Sequence, residues 1–295
     1  MGKVLSASLY DYRVRLVCCD TTDLVQDITA VHDLSPQSAV VLGRVCTASV
    51  LLGSWISENE KVAVVFKGDG PAGEVAAESD FNLNIRGYIQ NSKLEIKRNA
   101  LEKADVASSI GKGFVYVVRD LGLKTPVTSS IKIVSGEVAQ DIAYYMNKSE
   151  QVPCAVNIGV LVNSQGIAGA GGMMIQILDQ HLQDSIISEI EEIVYKMKNI
   201  SSYIAEKNSL EKILKLFPKA QNIKESNCRF FCGCTKEKSI QALNAFGVGE
   251  LKEMQKQKTA EIKCKWCSKR YYATTDDIEK IISEKQVSEN KNTEA

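Results

Sequence analysis

The sequence predicts an α+β fold in three parts: a mixed α/β core over residues 1–178, an amphipathic helical linker over 179–227 and a small cysteine-rich domain over 228–285, with a disordered tail over 286–295. Three observations predict it. Short apolar runs alternate with turn signals up to about residue 178. From His181 to Lys219 glycine disappears and apolar residues recur at helical spacing. Five of the nine cysteines then fall at or after Cys228.

In the first part, Val62–Lys67, Leu83–Gln90, Gly113–Arg119 and Ile131–Val134 read as strands. Ser38–Ile56 is apolar nearly all round, the pattern of a buried helix. A second helix is expected from a Ser135 cap through Glu137 to Met146, its early acid suiting the helix dipole. Gln151–Leu178 is uncharged for 28 residues, enough to span a bilayer. The cluster Asn163-Ser164-Gln165-Gly166 divides it into two strands, Ala155–Val162 and Ile167–Leu178, so a hairpin is expected and no membrane association.

In the second part, Ile186, Ile187, Ile190, Ile193, Val194 and Met197 share one helix face, with Glu189, Glu191, Glu192, Lys196 and Lys198 on the other. Leu210, Ile213, Leu214 and Phe217 repeat the pattern. Such faces must be hidden on something, so the reading divides between plain linker packing and a conditionally exposed adhesive surface.

Composition narrows the function. The 295 residues are 44% hydrophobic and 24% charged, an ordinary globular mix. The 36 basic and 36 acidic residues cancel, so no bulk field attracts nucleic acid. His32 and His181 are the only histidines, which excludes a His-rich catalytic cluster. Ala168–Gly172 lacks the Lys-Ser/Thr and the strand-to-helix setting of a phosphate loop, and Gly111-Lys112-Gly113 has Val106 at the leading glycine position and Gly113 in place of Ser/Thr, so no nucleotide is expected. Met1–Ser6 fits an acylation pattern, but Val4 and Leu5 read as the start of a strand, and acylation is not expected. With no basic-then-apolar leader, a soluble cytoplasmic protein is expected.

Cys18, Cys19, Cys46 and Cys154 sit among apolar neighbours and read as buried, inert thiols. The C-terminal group differs. Cys232-Gly233-Cys234 and Cys264-Lys265-Trp266-Cys267 deliver four sulfurs as two close pairs, the arrangement a tetrahedral Zn²⁺ requires. The second pair is expected to form a knuckle entering a hairpin through Tyr271-Tyr272. Cys228 with Cys232 makes a rival pair. Cys232 and Cys234 are preferred, because Phe230 and Phe231 separate Cys228 from the glycine turn and are expected to pack beneath the metal. Two other readings stand beside this one: a zinc-ribbon nucleic-acid module using Lys263, Lys265, Lys269, Arg270, Tyr271 and Tyr272, and a thiol–disulfide oxidoreductase built on the CxxC pair.

The chain resembles the 33 kDa heat shock chaperonins, a bacterial family of redox-regulated holdases. The resemblance rests on Gly70-Pro71-Ala72-Gly73-Glu74, Ile85-Arg86-Gly87-Tyr88, Val134–Asp141, Ser149–Pro153, Ala170-Gly171-Gly172 and Phe231-Cys232-Gly233-Cys234, in order over about 10–285. Asp179 stands where the family usually has proline, and Cys228 is not part of its pattern. The resemblance implies an ATP-independent chaperone rather than an enzyme. It implies one Zn²⁺ held by Cys232, Cys234, Cys264 and Cys267 in the inactive reduced form. Oxidation is then expected to give Cys232–Cys234 and Cys264–Cys267 disulfides, lose the metal and unfold the linker. The uncovered residues 186–197 are expected to bind unfolding client proteins, as a homodimer.

Overall fold

Side chains on β1 (Gly2–Leu9) and β2 (Val14–Asp20) alternate between two apolar cores, because successive residues of a strand point to opposite faces. Val4, Val17 and Cys19 enter one core, while Leu5, Leu16 and Cys18 enter the other. A computed structural model describes residues 1–217, 220–256 and 259–293, which divide into two compact units, Met1–Phe231 and the residues from Cys232 on.

The first unit is built on a ten-stranded sheet. Its further strands are β3 (Lys61–Gly68), β4 (Glu74–Asp80), β5 (Asn84–Ile89), β6 (Gly113–Asp120), β7 (Val127–Lys132), β8 (Cys154–Asn163), β9 (Gly166–Ile177) and β10 (Gln221–Phe230). The order is β7-β6-β3-β4-β5-β10-β1-β2-β9-β8. Strand β10 joins two antiparallel halves: it runs antiparallel to β1, with Gly2 opposite Cys228, and parallel to β5 through Arg229–Asn84 and Phe230–Ile85.

One core packs under α2 (Pro36–Gly53), which Ser35 caps by accepting from Ser38 N. By length and composition α2 passes for a membrane span, yet 89% of it is buried within the protein. Helices α1 (Thr22–His32), α3 (Val106–Ile110) and α4 (Val138–Lys148) flank it. The other core lies between β1, β2 and β9 and three linker helices, α5 (Asp184–Lys196), α6 (Ile200–Ala205) and α7 (Leu210–Leu214).

The second unit contains α8 (Lys236–Gln241), a 3₁₀ turn (Ala242–Ala245), α9 (Val248–Lys256), the hairpin β11 (Thr259–Lys263) and β12 (Arg270–Thr274), and α10 (Thr275–Thr293). Among the described residues its apolar core has six that are buried, Leu243, Leu251, Ala273, Ile278, Ile281 and Ile282.

Several expectations need correction. Ser135 does not cap α4, which begins at Val138 after Glu137. Instead the buried Asp141 carboxylate accepts from the backbone N–H groups of Val134, Ser135 and Gly136, and Ser135 Oγ accepts from Glu137 N. The strand expected at Ile131–Val134 runs earlier, as β7. Residues 221–230, divided in the sequence reading between linker and cysteine-rich domain, form one strand of the first unit, so the boundary between units falls after Phe231. The tail expected to be disordered from Gln286 continues α10 to Thr293, a stretch free of Gly and Pro; Glu294 and Ala295 lie outside the described residues.

Candidate metal centre

Two turns of the second unit bring four sulfurs together. Cys264 and Cys267 occupy the β11–β12 turn, where Cys264 N donates to Lys269 O and Ser268 N to Cys264 O, both at 2.8 Å. Ser268 takes a left-handed conformation (φ 59°) that closes this knuckle. Cys232 and Cys234 precede α8, whose cap Thr235 accepts from Lys238 N. Lys238 Nζ reaches back to Gly233 O at 3.2 Å.

The Sγ atoms of Cys232, Cys234, Cys264 and Cys267 all lie within 4.8 Å of one another. Cys232 and Cys264 are 3.8 Å apart, Cys234 and Cys267 3.3 Å. Four sulfurs at about 2.3 Å from a tetrahedral Zn²⁺ stand roughly 3.8 Å apart along each edge. The donor set and its spacing therefore fit a four-thiolate metal site.

The environment favours one thiolate even before a cation is considered. Burial pushes the Cys234 thiol up, but hydrogen bonds with Tyr271, Cys267 and its other neighbours outweigh this and bring it down to about 7. Burial raises Cys232 and Cys267. The Tyr271 hydroxyl lies 3.1 Å from Cys234 Sγ and 3.0 Å from Cys234 O, and that contact raises its own pKa to about 12. Tyr271, expected from sequence as a hairpin residue and a candidate contact to bases, is a neighbour of the sulfur cluster. Arg270 instead forms a two-pronged pair with Glu261, which also accepts from Tyr272, and Lys265 lies over the Trp266 ring.

The remaining cysteines are elsewhere. Cys18, Cys19, Cys46 and Cys228 are fully buried and Cys154 partly so. Burial raises Cys18, Cys154 and Cys228 to about 12. Cys228 Sγ sits 3.9 Å from Asp20 O in the first core, outside the sulfur cluster. Phe230 packs against that same core and Phe231 is exposed, so neither forms the expected bed for a metal. Both follow from the pairing of β10 with β1 and β5.

The linker residues singled out from sequence converge on one surface. Ile190, Ile193 and Met197 are buried, and Ile186, Ile187 and Val194 pack half-buried against the same cluster as Leu16, Met173 and Ile175. Asn157 Nδ2 donates to Val194 O at 3.1 Å, and Tyr10 OH to Glu189 Oε2 at 3.1 Å. Lys3 Nζ reaches Glu211 and Glu225 at 2.5 and 3.0 Å.

Comparison with known proteins agrees with this architecture. The family model described as "Hsp33 protein" matches residues 2–274. The 33 kDa chaperonin of Thermosipho melanesiensis is 38% identical over 284 residues, 96% of this chain and 99% of that protein. The Thermotoga maritima 33 kDa chaperonin is 37% identical over 276 residues, 93% and 95% of the two chains. A crystal structure of the Thermotoga maritima protein superposes with a TM-score of 0.90 at 35% identity, covering 96% of this chain and 98% of that one. The chain belongs to the Hsp33 family of chaperones.

Proposed function

We propose that this chaperone is an ATP-independent holdase held inactive by a metal-loaded four-cysteine centre and switched on by oxidants. The observation that carries the reading is the convergence of four sulfurs in a unit whose own apolar core, among the described residues, has six buried side chains. So small a core supports little structure alone. A bound Zn²⁺ supplies roughly 10–16 kcal/mol of binding free energy that is also folding free energy, and keeps the sulfurs as thiolates.

Thiolates are also the form oxidants attack. When two thiols join, one S–S bond forms, two protons and two electrons leave, and peroxide is reduced to two waters or hypochlorite to chloride and water. The closest sulfur pairs run between the two turns, but the proposed disulfides are Cys232–Cys234 and Cys264–Cys267. Pairing within each turn removes all four ligands and leaves the turns free to part, whereas pairing between them would keep the unit cross-linked. Four thiols stay reduced only in a reducing compartment, which makes the cytoplasm the proposed location.

The linker is the proposed output. Three buried and three half-buried apolar side chains over 186–197, at about 1.5–3 kcal/mol for each full burial, contribute on the order of 10 kcal/mol, and ordering the same residues costs about 1–2 kcal/mol apiece. Docking is thus finely balanced and gives way when the neighbouring unit unfolds. The freed stripe then offers apolar contact to unfolded chains and to a second copy, without a sequence code. This reading needs no catalytic step.

The test is metal content and suppression of client aggregation, measured before and after hypochlorite. Oxidation should release about one metal ion per chain and turn suppression on, and peptide mapping should find both disulfides within the turns. Equal suppression by the reduced, metal-loaded protein would refute the switch.

A further inference from the structure

Two buried polar atoms of the first unit that lack a partner lie together. Trp55 Nε1 and Gln176 Oε1 are both buried without a hydrogen-bond partner among the described residues, and both line one cavity of about 300 Å³. Gln176 is 7% exposed. It lies directly across the β2–β9 ladder from Arg15, and Arg15 lines the same cavity with its guanidinium 4.9 Å above the Trp55 ring. A buried polar atom left unsatisfied costs about 1–3 kcal/mol, so two in one cavity mark a place built for something to occupy.

The charges tell what. Arg119 also lines the cavity, but its Nε donates to Glu150 Oε1 at 3.1 Å, and Tyr145 OH donates to the same carboxylate oxygen. The Glu150 charge is thereby paired with Arg119. Arg15 has no carboxylate partner among the described residues, and its guanidinium fork lies over the Trp55 ring at the cavity wall. Such a fork matches a carboxylate, to which the Trp55 indole N–H adds a further donor. Gln176 Oε1 needs the opposite, a hydrogen donor. Leu52, Met146, Met174 and Leu178 supply apolar wall.

We propose that this cavity binds a small carboxylic acid carrying a hydrogen-bond donor on its second carbon and an apolar tail, the chemistry shared by 2-hydroxy acids and apolar α-amino acids. The carboxylate lies on Arg15 and Trp55, the 2-substituent donates to Gln176 Oε1, and the tail meets the apolar wall. The site lies on the opposite sheet face from the linker helices and is independent of the redox reading.

The experiment titrates the full-length reduced protein with 2-hydroxy-4-methylpentanoate, L-leucine and 4-methylpentanoate, following the Trp55 indole N–H resonance. The chain has two tryptophans, so Trp266→Phe assigns the signal. The two donor-bearing acids should saturate the shift, and 4-methylpentanoate should bind about fivefold more weakly or worse. Whichever of hydroxy acid and leucine binds more tightly identifies the class. Arg15→Gln should weaken binding about tenfold to a hundredfold, and Arg15→Lys, which keeps the charge but not the fork, by a smaller factor. Gln176→Met, which removes an unsatisfied group without emptying the space, should keep the fold and erase the preference for a 2-substituent. The proposal is overturned if no acid gives a saturable shift up to about 10 mM, or if Arg15→Gln binds as wild type does.

Discussion

Cys228 Sγ occupies the space that a side chain at Gly2 would need: a Cβ built on Gly2 would lie 2.7 Å from that sulfur and 2.4 Å from Asp20 O. The thiol is a packing element of the β1–β10 ladder, though Cys232 stands only four residues further on. Cys228→Ser should therefore leave metal stoichiometry unchanged while lowering the stability of the first unit by about 1–2 kcal/mol, because a hydroxyl is buried where a sulfur packed. Cys232→Ser with Cys264→Ser should abolish tight binding without that loss. A chromogenic chelator titration and a denaturant melt separate the two; metal loss in Cys228→Ser would show that the rival pair is used.

Linker helix α6 packs against β9 with its backbone as well as with Ile200 and Ile204. A Cβ at Gly169 would meet Ser201 O at 2.4 Å and Ala205 N at 2.7 Å, both on α6. Gly169→Ala should lift this helix and give a reduced, metal-loaded protein that already suppresses client aggregation and is cleaved by protease within 198–210. Gly249→Ala, whose Cβ meets nothing within 4 Å, should leave both unchanged. A Gly169→Ala protein as silent and as resistant as wild type would mean that α6 docking does not hold the linker down.

The Lys3–Glu211 pair ties β1 to α7 and makes that contact acid-sensitive. The hydrogen bond from Lys3 holds the Glu211 carboxyl down at about 2, against an ordinary 4.5. A carboxyl depressed in the folded state stabilises fully above its unfolded pKa and loses that contribution as pH falls through the folded one. Protection of α7 amides should thus decline between about pH 4.5 and 2 beyond what Lys3→Met shows, and modestly, since the pair is solvent-screened. Identical acid profiles for the two proteins would remove the pair from the account.

Tyr271 gives the sulfur cluster a kinetic handle. Its hydroxyl lies 3.1 Å from Cys234 Sγ and favours that sulfur as a thiolate. In the reduced, metal-loaded protein, where the unit is folded, Tyr271→Phe should therefore weaken the grip on the cation and speed its loss to a chelator severalfold at pH 7. A chelator time course reads this directly, and an unchanged rate would show that the neighbouring thiols alone hold Cys234 as a ligand.

What the sequence revealed and what it hid have physical causes. Helix α2 was legible because it is apolar nearly all round, though it runs Pro36–Gly53 rather than Ser38–Ile56, and the β8–β9 hairpin because a polar turn splits a long apolar run. The sulfur cluster was legible because metal ligands must be spaced to suit a tetrahedron. Strand β10 was not: seven of its first residues, Gln221–Asn227, are exposed, so it carries no apolar alternation and is held by backbone pairing to β1 and β5. Tyr271 was visible as an aromatic, but only the hairpin register aims it at Cys234. Arg15, Trp55 and Gln176 are far apart in the chain and meet only through sheet order and the end of α2.

The second unit should fold only with its metal. An apolar core of six buried residues, among those described, leaves the β11–β12 hairpin and α8 dependent on the cross-link between the 232–234 and 264–267 turns. Chelation under reducing conditions should erase hydrogen-exchange protection of β11 and β12 while β3, β4 and β6 keep theirs, and adding Zn²⁺ back should restore it. Protons compete with the cation for the sulfurs, and burial already raises Cys232 and Cys267, so a given chelator concentration should strip the site more completely at pH 6 than at pH 8. Full protection of the hairpin in metal-free, reduced protein would show that the apolar core suffices, and the proposed switch would lose its means of transmitting metal loss.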